Sequence, residues 1–359
     1  MNIAYFAPIP YDFLMQRPQY LAKELSKRYN VFYIEPTISA IYRALRGGES
    51  FKARKKDLSE SLHIIKLDGL FSLPRVLKVY DLFGFSNAWE RKQLKIIIPK
   101  PDIIWVGYCG WYPVSSRFSG TQIYDKMDDN SLLTHNILHS MQLAKYDKYL
   151  FKKAECIFVA SMNLYEKALA VNPQSHLIPN AVDAEFAQVI ISSKKSGNKR
   201  VFGYIGMIDD WFDLMAVRTI VDANEDNEVV LVGPNNVSKI HHARVIYMGR
   251  LPKEKLPAVI SSFDVCLYPF QQNRLLETIN PVKIYEYLAL NKPIIAVDSR
   301  ETRAFGELIW RYKTYDELKE LCSKSFTTPF VSEEARLQFI GVNNWLKRGQ
   351  IIIDVMEAL

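Results

Sequence analysis

Lys283 and Glu286 stand three residues apart in the stretch NPVKIYEYLALNKPIIAV, residues 280–297. On a helix that spacing puts both side chains on one face. Asn280 reads as an N-cap and Pro281 as the first helical residue, where no N–H partner is needed. Ile284, Tyr285, Leu288 and Ala289 then recur at helical spacing. Lys283 becomes the third helical residue, where the positive end of the helix dipole disfavours a cation by roughly 0.3–1 kcal/mol. A bound anion turns that conflict into an advantage. The backbone N–H groups of the first turn, with Lys283, suit a diphosphate. Glu286, one turn further on, can accept hydrogen bonds from two vicinal ribose hydroxyls. Together these describe a nucleoside diphosphate held without a metal. The plainer reading is a weak surface ion pair.

A second cluster lies in TQIYDKMDDN, where an apolar strand runs straight into Asp125, Asp128 and Asp129. Three carboxylates at a strand end are unfavourable unless some are hydrogen-bonded or one is protonated. A carboxylate in such a place can serve as a general base for a hydroxyl. All three as caps and turn formers is the alternative, with Asp129 capping the following helix. The first strand is followed by APIPYDFLMQRPQYLAKEL, in which Pro18 suits a helix start. Arg17 there can meet a phosphate or form a structural ion pair, and Asp12 is a further carboxylate of that turn. In the second half Gly206 and Gly249 each follow a strand and permit close approach of a ligand, with Arg250 beside the latter. His135 and His139, at i and i+4, have a metal-compatible spacing, but no third ligand motif accompanies them, and they read as a helix-surface pair.

The elements that position these residues are short apolar runs alternating with longer helical stretches. In the first half the runs are NIAYFAP, NVFYIEP, LHIIKL, PDIIWVGY, TQIYDKMDD and CIFVAS; in the second, RVFGYIG, EVVLVGP, RVIYMGR, DVCLYPF and PIIAV. Near-continuous apolar strands separated by helices predict parallel sheets covered on both faces. The polar stretch 189–199 reads as part of a linker. An α/β chain of two successive doubly wound domains follows, with ligands at the carboxyl ends of the strands. The final stretch NNWLKRGQIIIDVMEAL predicts a helix with Trp345, Ile352, Val355, Met356 and Leu359 on one face, weakened in the middle by Gly349.

The 359 residues are 48% hydrophobic and 24% charged, with a net charge of +7. That is the composition of a globular protein with large cores and fits phosphorylated ligands or anionic surfaces. Tyr42–Lys56 is rich in arginine and lysine, and residues 67–95 mix basic and aromatic side chains, which suits an anionic membrane or, equally, a solvated helix face with ordinary core aromatics. No nucleic-acid-binding signature is visible. Cys109, Cys156, Cys266 and Cys322 lie far apart and read as reduced structural thiols in a cytoplasmic protein. No signal-peptide pattern and no bilayer-spanning run is seen.

Five of these stretches, QRPQYLAKEL, YDKMDD, IPNAVDAEF, GYIGMIDDWFD and NPVKIYEYLALNKPIIAV, resemble GT-B glycosyltransferases. The likeness is to bacterial enzymes of the family-1/family-4 type, including those of teichuronic acid synthesis. The Lys-x-x-Glu segment is also similar to that of xanthan-type glucuronosyltransferases. The resemblance implies two Rossmann-like domains facing a central cleft. Residues 1–180 would bind the acceptor, residues 181–341 the nucleotide sugar, and a helix in 342–359 would return to the first domain. It implies transfer from a UDP-linked or related nucleotide sugar, without metal or other cofactor. The acceptor would be a lipid-linked or growing cell-surface polysaccharide at the cytoplasmic membrane face. Asp128 becomes the catalytic base, with Asp125 and Lys283 as further catalytic residues. The donor set is Gly206, Met207, Asp209, Gly249, Arg250, Tyr268, Thr278, Asn280, Pro281, Val282, Lys283 and Glu286. The acceptor set is Asp12, Arg17 and Asp129. The Glu-x7-Glu pair of many retaining relatives is displaced: Thr278 occupies its first position and Glu277 is one off, so the anomeric outcome stays open. A nucleotide-sugar epimerase of the same fold and a non-catalytic glycan-binding relative are the alternatives.

Overall fold

The computed structural model describes residues 1–13, 15–39, 53–69, 85–182, 199–324 and 331–359. Most of the basic stretch 42–56, the aromatic residues 70–84 and the linker residues 189–198 lie outside them. The chain divides into two compact units, Met1–Pro179 with Arg348–Leu359, and Asn180–Lys347.

The first unit is built on an eight-stranded sheet. Its strands are β1 (Asn2–Phe6), β2 (Asn30–Ile34), β4 (Arg54–Asp57), β5 (Leu62–Lys66), β7 (Ile103–Val106), β8 (Thr121–Lys126), β9 (Cys156–Val159) and β10 (Ser175–Leu177). β3 (Ile38–Ser39) and β6 (Asp68–Gly69) pair separately. The order is β10-β9-β8-β7-β1-β2-β5-β4, parallel except for the β4–β5 pair. The apolar runs became strands because both faces are covered: Ile3 to Phe6 and Ile103 to Val106 are buried without alternation. β4 escaped the sequence reading because it carries no apolar signal. All four of its residues are exposed, and Arg54, Lys55 and Lys56 give the sheet a charged edge. The helices are α1 (Arg17–Leu25), α2 (Phe85–Ile97), α3 (Tyr112–Ser115), α4 (Ile137–Lys153) and α5 (Met162–Leu169). Leu94 of α2, Val114 of α3 and Leu143, Tyr146 and Leu150 of α4 share one core with Ala4, Phe6, Ile104 and Val106, so these three helices cover the same sheet face.

The second unit has six parallel strands, β11 (Arg200–Ile205), β12 (Asn227–Val232), β13 (Val245–Gly249), β14 (Val265–Tyr268), β15 (Ile294–Val297) and β16 (Trp310–Tyr312), in the order β13-β12-β11-β14-β15-β16. The direction of winding reverses between β11 and β14. In open α/β sheets such a switch point, at the carboxyl ends of the strands, is where ligands bind. The helices are α6 (Leu214–Ala223), α7 (Leu256–Ser261), α8 (Val282–Ala289), α9 (Arg300–Arg303), α10 (Tyr315–Cys322) and α11 (Glu333–Val342).

The last helix, α12 (Trp345–Glu357), starts in the second unit and ends in the first. Gly349 has a packing reason: a Cβ there would lie 2.6 Å from Cβ of Glu24 on α1. Arg348 Nε donates to the Pro179 carbonyl at 3.0 Å, and Ile352 is fully buried. All four cysteines are free and buried. No helix among the described residues is long and apolar enough to cross a membrane.

Candidate functional site

In the second unit, three adjacent strands end in glycine. Gly206 follows β11, Gly233 follows β12, and Gly249 closes β13. They are laced together by backbone: Gly206 N–H donates to the Val232 carbonyl and Gly233 N–H to that of Gly249, each at 2.9 Å. At Gly233 φ is +144°, and a Cβ would fall 1.9 Å from the Gly206 carbonyl oxygen. Only glycine fits such a close approach, so these strand ends present bare backbone. Gly233 is not among the expected donor residues, although EVVLVGP carries the same strand-then-glycine signal as Gly206 and Gly249.

The turn after β11 is tied to the turn after β12. Ile208 N–H donates to Pro234, and Asn236 N–H donates back to Ile208, both at 2.9 Å. The Asp209 carboxylate accepts from Asp210 N–H at 2.8 Å and from Asn236 Nδ2 at 2.6 Å, so it holds this turn. The Met207 carbonyl accepts from the buried Tyr204 hydroxyl at 3.1 Å. Arg250 is exposed.

Helix α8 begins one residue later than its sequence predicts. Pro281, at φ −79° and ψ 81°, is the cap, Val282 is the first helical residue, and Lys283 is the second. Asn280 is therefore not the cap. Its side chain is buried, accepting from Asn180 N–H and donating to Glu301 Oε2, both at 2.9 Å. Two other expected donor contacts are also structural. The Thr278 hydroxyl donates to the Leu275 carbonyl at 2.9 Å and is buried. Tyr268 is a core residue whose ring stacks on Phe270 at 4.2 Å. At the helix start, Val282 N–H donates to Asn280 and Ile284 N–H to Pro281, both at 3.0 Å.

Lys283 Nζ donates to Glu286 Oε2 at 2.9 Å, and the two side chains are 24% and 18% exposed. They are neither free in solvent nor sealed in the core. Tyr287 fixes the helix against the sheet, because its hydroxyl accepts from Ile205 N–H at 2.9 Å. Burial, and then the charge of Glu286, push the Tyr204 hydroxyl pKa up. Glu286 thus lies near the end of β11, on the helix that follows β14, which is the switch point of the sheet.

In the first unit, the end of β8 is held on both faces. Alternation along the strand sends Asp125 one way and Tyr124 and Lys126 the other. Asp125 Oδ1 accepts from Arg17 Nε at 3.0 Å and Nη2 at 2.7 Å, while Arg17 Nη1 donates to the Ile178 carbonyl. Both residues are 2% exposed. This corrects two expectations: Arg17 is committed to a buried ion pair and not offered to a ligand phosphate, and Asp125 anchors a loop. On the other face, buried Lys126 pairs with Asp147 of α4, which also accepts from the Tyr124 hydroxyl.

Asp128 follows in the loop between these anchors. It is half-buried, and its carboxylate accepts no hydrogen bond among the described residues. Burial pushes its pKa up to about 6, with Lys126 and Arg17 pulling down and Asp129 adding to the rise. Asp129 does not cap α4: Asn136 does, accepting from His139 N–H at 3.1 Å. The Asp129 carboxylate instead accepts from Ser131 Oγ at 2.6 Å and lies 3.8 Å from Lys167 Nζ. Asp12 is exposed and pairs with Lys66 at 3.3 Å. His135 and His139 are not a surface pair, since His135 precedes the cap while His139 is buried, with Nδ1 3.2 Å from Thr134 Oγ1. Among the described residues no group of three or more His, Cys, Asp or Glu side chains could hold a metal ion.

Residues 199–313, the strands and helices around the Lys283–Glu286 pair, match the family model described as glycosyl transferases group 1. A Bacillus subtilis (strain 168) protein, named provisionally as the teichuronic acid biosynthesis glycosyltransferase TuaH, is 22% identical over 231 residues. That match spans 55% of this chain and 56% of the relative, about half of each. The Escherichia coli trehalose-6-phosphate structure bound with UDP-2-fluoro glucose superposes with a TM-score of 0.71 at 11% identity, covering 100% of this chain and 99% of that one. Anabaena HepE in complex with UDP and glucose gives 0.66 at 11% identity, with 100% and 99% covered. The fold is GT-B, with two doubly wound Rossmann-like domains.

Proposed function

We propose that this GT-B protein is a glycosyltransferase that moves a sugar from a nucleoside-diphosphate sugar, UDP-linked, to a hydroxyl of a lipid-linked or growing cell-surface glycan. The observation that carries the proposal is the Lys283–Glu286 pair at the start of α8, a helix held against the end of β11. Of the three strand-end glycines, Gly249 has open space where a Cβ would stand. The Lys283 N–H has no acceptor among the described residues, so it and the ammonium can both turn to a diphosphate. Glu286, released from the lysine, accepts from the ribose hydroxyls. As the sugar leaves, negative charge grows on the diphosphate. Lys283 and the helix start then stabilise the transition state more than the ground state.

Asp128 is the proposed base for the acceptor hydroxyl. A carboxylate with a pKa near 6 is ionised at neutral pH and is a better proton acceptor than an ordinary aspartate. Arg17 and Lys126 hold its loop while their own charges are matched by Asp125 and Asp147. The UDP-containing structures of similar fold and the polysaccharide-synthesis name of the relative support the donor and acceptor classes.

Calorimetric titration with UDP tests the donor half. The wild type should bind, and Lys283→Ala should weaken binding by at least tenfold, the scale of a lost charge-assisted hydrogen bond of about 1.5–3 kcal/mol. Equal affinity in the two proteins would remove Lys283 from the diphosphate site.

A further inference from the structure

Helices α2 and α4 lie on the same face of the first sheet, with α3 between them. Arg91 Nη1 of α2 donates to the Pro113 carbonyl of α3 at 3.2 Å, and Tyr112 of α3 stacks on Tyr149 of α4 at 5.3 Å. Their inward faces build the core. Their outward faces are unlike an ordinary solvated surface. On α2, Trp89, Lys92 and Ile96 follow one another at helical spacing, and all are exposed, Ile96 by 76%. On α4, Ile137, Leu138 and Met141 are exposed by 74%, 59% and 66%. The same face then continues as Lys145, Lys148 and Lys152, all exposed. The only acids of the two helices, Glu90 and Asp147, are both buried.

We infer that this α2–α4 face docks on an anionic lipid bilayer. Large apolar side chains clustered on a surface mark an interaction site, and their chemistry selects the partner. Isoleucine, leucine and methionine enter the acyl boundary, and Trp89 suits the interface between chains and headgroups. The lysines lie along their aliphatic stems and reach lipid phosphates. A second copy of the chain would bring one basic face against another, which like-charge repulsion opposes. A nucleic acid would leave the apolar cluster uncovered. The role rests on the proposed transfer to a lipid-linked acceptor, since the Asp128 loop runs directly into α4; the binding and its test do not.

The test is co-sedimentation of the full chain with vesicles of phosphatidylcholine alone, or of phosphatidylcholine mixed with phosphatidylglycerol. The wild type should sediment with the mixed vesicles and not with the neutral ones. Leu138→Asp with Met141→Asp should weaken sedimentation at least tenfold. Lys145→Glu with Lys148→Glu should weaken it about fivefold or more for each lysine. Both variants should keep the wild-type circular dichroism and the wild-type affinity for UDP. Failure of UDP binding in all proteins would count against the donor reading and leave the vesicle result standing. The lysine variant decides the matter if the apolar one melts. A wild type that ignores anionic vesicles, or variants that sediment as well as it does, would overturn the assignment. So would a wild-type dimer that the same substitutions dissolve.

Discussion

At the scale of single residues, Asp128 links chemistry to stability. Its folded pKa, near 6, stands above the usual value of about 3.9 for an unfolded aspartate. The folded protein therefore keeps the proton to higher pH than the unfolded chain does. Ionising the group costs folding free energy as pH rises from about 4 to about 6, and the cost is fully present above that range. Asp128→Asn removes the charge. The variant should be more stable than the wild type at pH 8, by at most about 3 kcal/mol. The gain should vanish near pH 4, as followed by thermal melts across pH. Sugar transfer should fall by about 10²-fold or more, while UDP affinity stays unchanged. In the wild type, kcat/KM should drop as pH falls through about 6, because only the ionised carboxylate takes a proton. A variant with full turnover would show that another group is the base.

At the scale of elements, the end of β8 depends on two buried ion pairs facing opposite ways. Neither is evidence of large net stabilisation, since desolvating the charges offsets much of their attraction. Breaking one pair is another matter, because it strands a buried charge. Arg17→Met alone should cost about 3–5 kcal/mol in denaturant unfolding. Arg17→Met combined with Asp125→Leu should recover most of that loss. If the double variant is as unstable as the single, the guanidinium's bond to the Ile178 carbonyl carries the stability instead.

At the scale of the whole molecule, the chain leaves the first unit, builds the second and returns through α12. That return depends on how closely α12 approaches α1. Gly349→Ala should improve helix propensity by roughly 1 kcal/mol. The added methyl group would meet Cβ of Glu24 at 2.6 Å, and such overpacking costs about 1–3 kcal/mol. We expect a net loss of stability in chemical denaturation. An outright gain would mean that the two helices separate without cost.

The longer apolar strands of both sheets, though not the short edge strands β10 and β16, the α/β class and the Lys283–Glu286 pairing were legible in the chain alone. Each of these is written in short-range pattern: unbroken apolar runs, helical spacing, a proline at a helix start. The sequence also marked Asp128 as one of three carboxylates at a strand end. Only folding separates the three by their partners. Asp125 is claimed by Arg17, 108 residues away, and Asp129 by Ser131 with Lys167 close by, whereas Asp128 is left desolvated. It likewise moved Asn280 from a helix cap to a buried bridge between Asn180 and Glu301. It also paired Gly233 with the Gly206 carbonyl. The reason is common to all of these. A side chain's role follows from its partners, and partners that folding brings together from other elements, such as Glu301 for Asn280 or Arg17 for Asp125, leave no local trace in the chain.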